Sequence, residues 1–251
     1  MKTIMRNSIG RGYLDLSNYL KKSDINNFRQ NEKNFNYAIE HVGNSSIENG
    51  KKSFNAIQKL DMITLNQLNE LLELNDKIGN PYKTKKISDK IIQCNPNTLK
   101  YIYFGLLIIK HFIQTNINNI NFIEIGGGYG GQCLILLKLF NIFNINIKKY
   151  ILIDLQNVVD FQEKYLTAHK INDKCKFISY TNYTNYNFNN NNYLFSCYSF
   201  NEILPFVRQH YYTNLFPYIK NGSFIWPTKN IDLQISYKQI SLNIFGKFIT
   251  F

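Results

Sequence analysis

The chain has 251 residues, enough to bury a single α/β domain plus a helical segment without disulfide or metal support. Cys94, Cys133, Cys175 and Cys197 form no CxxC pair, which argues against a zinc site or a disulfide framework and fits a reducing compartment, the cytoplasm. The net charge of +12 raises the question of a polyanionic partner, but the lysines come in scattered pairs (Lys21 and Lys22, Lys51 and Lys52, Lys148 and Lys149), so a solvated basic surface is favoured over a nucleic-acid groove.

The start, MKTIMRNSIGRG, has no apolar core of the kind a signal segment needs. A stripe at Ile57, Leu60, Ile63, Leu65, Leu68, Leu71, Leu72 and Leu74 predicts a helix over 57–74, broken at Gly79, Asn80 and Pro81. A buried helix follows from Pro96, with Asn97 or Thr98 as its cap. Its run YIYFGLLII is about half a membrane span, so a soluble protein without membrane contact is expected. From 121 onward short β-branched or aromatic runs recur at 121–125, 150–154, 176–180, 193–198 and 223–226. Their spacing leaves room for helices and predicts an α/β fold, a doubly wound, Rossmann-like, mostly parallel sheet. Residues 1–98 read as an N-terminal helical cap and 99–251 as the sheet domain. The Asn-rich stretches NIFNINIKK and TNYTNYNFNNNN read as surface connections.

Between the first strand and its helix lies EIGGGYGGQ. Glycines at such a turn permit positive φ and let backbone amides approach a ligand at a helix N-terminus. Gly126, Gly128 and Gly131 satisfy the GxGxxG of dinucleotide folds, so an NAD-linked oxidoreductase is one reading. Glu124, Gly126, Gly128 and Gly130 satisfy the ExGxGxG of class I S-adenosylmethionine methyltransferases. The carboxylate of Glu124 would repel a pyrophosphate and attract an ammonium, which favours the methyl donor. Gly127 and Tyr129 lie in the same loop and join the candidate cofactor residues. Asp154, ending the second strand, is placed to accept from ribose hydroxyls in either class or to cap the next helix; Ser179 and Tyr180 stand where adenine is usually held.

The fourth strand delivers SFNEI to the edge where open α/β folds place chemistry, with Ser199 counted among the cofactor contacts. Glu202 is the first candidate for a general base and His210 the second; His111 is expected to be a core histidine, and His41 could belong to a lid. No carboxylate cluster near Glu202 suggests a metal, so none is expected.

The strings IEIGGGYGGQ, YILIDLQNVVDFQEKYL and SFNEI, with DKIGNP and NPNTLKYIYFGLLI upstream, resemble the sugar O-methyltransferase family, a branch of the class I S-adenosylmethionine-dependent methyltransferases. The resemblance spans about residues 70 to 230. It implies that Gly126, Gly128 and Gly130 cradle the methionine part of the cofactor, that Glu124 supports it and that Asp154 binds ribose. It also implies an acceptor that is a nucleotide-linked sugar or a glycan. The family's sheet normally adds a helix and two strands after GSFIWP. Here LQISYKQISL and GKFITF leave room for a terminal hairpin without that helix, or for a shortened edge. An RNA 2′-O-methyltransferase and a catalytically degenerate scaffold are the remaining alternatives.

Overall fold

The computed structural model describes residues 11–30, 45–81, 84–188, 191–227, 233–234, 236, 238–243 and 245–251, without the side chains of 11–14 and 242. His41, the residue considered for a lid, lies outside them. Among the described residues four helices precede the sheet: α1 (Arg11–Lys22), α2 (Ile47–Leu60), α3 (Leu65–Asp76) and α4 (Pro96–Thr115).

The stripe over 57–74 belongs to two helices rather than one. Asp61 closes α2 in a left-handed conformation, φ 49°, its amide bonded to the Ile57 carbonyl. Thr64 then opens α3 with a capping box: its hydroxyl accepts from the Gln67 amide at 3.2 Å, and the Gln67 side chain accepts from the Thr64 amide at 2.9 Å. The apolar spacing runs through the break because α2 and α3 both bury their stripes against α4. The cap of α4 is Asn95, not Asn97 or Thr98. Its side chain accepts from the Asn97 amide at 2.8 Å, while Pro96 occupies the first helical position, where a missing N–H is harmless.

Strands and helices then alternate as β1 (Ile120–Ile125), α5 (Gly131–Ile142), β2 (Ile147–Asp154), α6 (Gln156–Ala168), β3 (Cys175–Ser179), β4 (Asn192–Cys197), α7 (Ser199–Glu202), α8 (Pro205–Asn214) and β5 (Ile219–Trp226). A hairpin of β6 (Gln239–Asn243) and β7 (Gly246–Thr250) ends the chain. The sheet order is β3-β2-β1-β4-β5-β7-β6, with β1 to β5 parallel and β7 antiparallel to both its neighbours. This is the doubly wound, Rossmann-like sheet that the strand recurrence predicts, with a hairpin completing its far edge. Among the described residues no helix stands between β5 and β6.

Alternation along β1 divides the core. Phe122 belongs to the layer under α4, α5 and α6, which also holds Leu16, Phe28, Phe54 and Leu72 from the N-terminal segment. Ile123 and Ile125 belong to the opposite layer, with Tyr183 and with Val207 and Tyr211 of α8. Each fully buried aromatic or aliphatic side chain contributes roughly 2 kcal/mol. The TNYTNYNFNNNN stretch is therefore more than a surface connection: Tyr183 is buried and stacks on Tyr211 with centroids 5.0 Å apart. His111 packs against Phe112, Tyr193 and Phe248, where partial burial lowers its pKa. Among the described residues no helix is long and apolar enough to cross a membrane.

Candidate functional site

Strand order reverses between β1 and β4, which makes the gap beyond their C-terminal ends the switch point where open α/β sheets bind ligands. The glycine loop leaves β1 at this point. Gly126, Gly128 and Gly130 have φ of 76°, 56° and 101°, a left-handed backbone that side chains disfavour. The Gly126 amide bonds Ile153 O at 3.1 Å and the Gly130 amide bonds Gly127 O at 3.0 Å, so the turn folds back on itself before α5. Gly127 has a different reason to be glycine. A Cβ there would stand 2.6 Å from Leu152 Cδ2 and 3.3 Å from Glu124 Oε2.

Glu124 lies beneath the loop and is only 1 % exposed. Tyr150 donates its hydroxyl to Oε2 at 2.7 Å. Burial pushes the carboxyl up to about 8, the Tyr150 bond opposes the shift, and neighbouring Asp154 adds to it. Desolvation thus favours the protonated form of Glu124, a counterweight to the ionised carboxylate that the sequence leads one to expect. Asp154, at the end of β2, is raised to about 7 by burial, against bonds from the Leu155 amide, Gln162 and the Gly127 amide. Leu155 N lies 2.8 Å from Asp154 Oδ1, and the residue at the cap of α6 is Leu155 itself, so Asp154 is not the helix cap. Gln162 ties the two halves together, donating to Gly128 O at 2.8 Å and to Asp154 Oδ2 at 3.3 Å.

Ser179 is the register partner of Asp154 and shares a hydrogen bond of 3.0 Å with Thr181. The Tyr180 amide bonds Asp154 O at 2.7 Å, which sets these residues beside the ribose candidate. His210 lies in the layer of α8: its Nδ1 is 2.6 Å from the Tyr183 hydroxyl and its ring packs against Tyr180. His210 itself is exposed, on the helix that follows Glu202. Ser199 is buried in the first turn of α7. Glu202 ends the same helix, exposed to solvent, and desolvation by its surroundings still holds its carboxyl above the ordinary range.

Tyr129 packs its side chain into the core. Its ring is 1 % exposed and points into the helical segment, with the Arg29 guanidinium 5.4 Å from the ring centroid and Phe28 and Tyr165 in ring contact. The Tyr129 hydroxyl meets Asn75, which also receives Tyr165 at 3.0 Å and donates to Thr98 at 2.7 Å. Asp76 accepts from Thr98 at 2.7 Å, from Arg29 at 3.2 Å and from the Asn95 amide at 2.6 Å. The upstream strings DKIGNP and NPNTLKY are thus physically joined to the glycine loop through one buried polar network. Sequence reasoning did not single out Asn75, Arg29, Gln162 or Lys100; the last was legible as one of two lysines within a mostly apolar helix. Among the described residues no three His, Cys, Asp or Glu side chains gather as a metal site would need.

No family model matches the chain, and no curated protein is similar to it in sequence. Several solved structures share part of its architecture. A SAM-dependent methyltransferase from Aquifex aeolicus is 11 % identical over 58 % of this chain and 87 % of its own, with a TM-score of 0.42. The mitomycin 7-O-methyltransferase MmcR is 10 % identical over 62 % and 56 %, with a TM-score of 0.42. MtNAS in complex with MTA and tNA is 14 % identical over 96 % and 95 %, with a TM-score of 0.44.

Proposed function

We propose that the chain is an S-adenosylmethionine-dependent O-methyltransferase acting on a sugar hydroxyl, nucleotide-linked or within a glycan. The observation that carries the cofactor class is the far edge of the sheet. A dinucleotide fold continues with a parallel sixth strand beside the fifth. Here the antiparallel β7 stands between β5 and β6, in keeping with the two further strands of the methyltransferase resemblance.

The residues at the switch point suit an adenosyl amino acid. The left-handed backbone at Gly126, Gly128 and Gly130 lets the main chain lie against the methionine part, and Tyr129 contributes through its backbone alone. Glu124 supports the amino-acid part from below, giving up its proton as an ammonium approaches. Asp154 accepts from the ribose, while Ser179, Tyr180 and Ser199 border the adenosyl end. Bound S-adenosylmethionine supplies a sulfonium methyl for in-line displacement. Glu202 takes the proton of the acceptor hydroxyl, a role suited to a carboxyl whose pKa lies above the ordinary range. The chain's main contribution is alignment of the two reactants.

Calorimetric titration with S-adenosylhomocysteine and with NADH tests the cofactor class. Binding of the first and not the second is expected; the reverse result overturns the reading. Once an acceptor is in hand, Glu202→Gln should lower kcat by roughly 100-fold or more, and an unchanged kcat removes Glu202 from the reaction.

A further inference from the structure

Lys100 stands on the first turns of α4, at the same sheet edge as the glycine loop. Its ammonium lies 4.7 Å from the ring centre of Tyr198, 5.4 Å from that of Phe245 and 5.7 Å from that of Phe104. Tyr198 directly follows Cys197, the last residue of β4, and β4 runs parallel beside β1, so the ammonium lies at the edge of the sheet from which the glycine loop leaves. Among the described residues Lys100 makes no ion pair. Burial pushes the Cys197 thiol up to about 12, so it stays neutral and cannot serve as counter-ion. Burial also lowers the pKa of Lys100 itself.

The cage around it is held deliberately. Tyr198 sits at φ 60°, a conformation that a bulky residue adopts only under constraint, with its amide bonded to Ile225 O at 2.9 Å and its hydroxyl to Phe245 O at 3.0 Å. These bonds aim the ring at the ammonium. Three aromatic faces attract a cation through their quadrupoles but leave its hydrogen-bonding capacity unspent. The missing partner is an anion. One cation balances one negative charge, and the surrounding ring faces repel a second, so a carboxylate suits the place better than a phosphate dianion.

We propose that Lys100 seats a carboxylate of the acceptor, so that the sugar methylated is an acidic one of the hexuronate kind; this rests on the methyl-transfer reading above. The test takes the whole chain with S-adenosylmethionine and two matched acceptor pairs, glucuronate against glucose and galacturonate against galactose, and reads methylated product by mass. The uronate is expected to show kcat/KM at least about tenfold above its neutral partner. Lys100→Met should erase that preference through KM, with affinity for S-adenosylhomocysteine within about twofold of the parent. Lys100→Arg should keep it. Equal use of both partners by the parent protein, or a preference that survives in Lys100→Met, overturns the proposal; Lys100→Gln replaces the methionine variant if the latter does not fold. Failure of the parent to bind S-adenosylhomocysteine removes the methyl-transfer reading alone. In that case, or if no acceptor turns over, calorimetric binding of glucuronate decides: binding lost in Lys100→Gln supports the seat, and absent or unchanged binding sinks it.

Discussion

Glu124 and Asp154 carry their protons at a pH where exposed carboxyls would have lost them, raised to about 8 and about 7 by burial. The sign of the linkage follows. Between the ordinary carboxyl range and these values the folded chain binds more protons than the unfolded one, so stability is full in mild acid and falls as pH rises. The urea midpoint of the ligand-free protein should therefore decline between about pH 5 and pH 8, by on the order of a few kcal/mol in total. Glu124→Gln should remove about half of that slope, since the Asp154 shift is of similar size, and a midpoint independent of pH in the parent would contradict the shifts. Ligand binding follows the opposite course: an ammonium and ribose hydroxyls favour the ionised forms, so the affinity for S-adenosylhomocysteine should tighten from pH 6 to pH 8, and by less in Glu124→Gln. Protonation of this kind was not legible in the sequence. The identity of Glu124 and its distance from the first glycine were visible, but its desolvation depends on Tyr150 from the neighbouring strand and on the loop folded over it.

The glycine loop and the helices around it show why some elements were readable and others were not. Local chemistry announced the loop, because positive φ at Gly126, Gly128 and Gly130 calls for glycine in the sequence itself. Gly127 is different, since what excludes a Cβ there is packing against Leu152. Gly127→Ala should cost roughly 1–3 kcal/mol, checked by chemical denaturation, and should weaken cofactor binding, because relief of the clash pushes the turn off β2. The break between α2 and α3 escaped the periodicity because the apolar stripe continues across it, although Thr64 and Gln67 had spelled a capping box. The orientation of Tyr129 was hidden for a further reason: its partners Asn75, Arg29 and Phe28 are some 50 to 100 positions away in the chain. Asp76→Ala leaves the fully buried Arg29 without its carboxylate, and should destabilise by about 3–5 kcal/mol in urea titration.

At the scale of the whole molecule the parallel core was foreseeable from the recurrence of apolar runs, while the ending was open until the hairpin was seen. The hairpin depends on one close approach: Gly246 has φ 151°, and a Cβ there would stand 2.1 Å from Trp226 O. β7 covers the edge of β5, and the Phe251 ring stacks on Phe224 with centroids 5.3 Å apart while its backbone exchanges two hydrogen bonds with Gly222. Deletion of residues 239–251 should uncover that edge and give a chain that aggregates on expression, measured by light scattering; a soluble, folded product would show that the hairpin is dispensable.

The bonds from Tyr129 and Tyr165 to Asn75 have a mechanical meaning beyond packing. They anchor the cradle to the outer helices as a keystone anchors two sides of an arch. Neither side can slacken by itself, so heating should produce one sharp melting event for cradle and outer helices together, and amide exchange in the glycine turn should slow or quicken in step with that in α3.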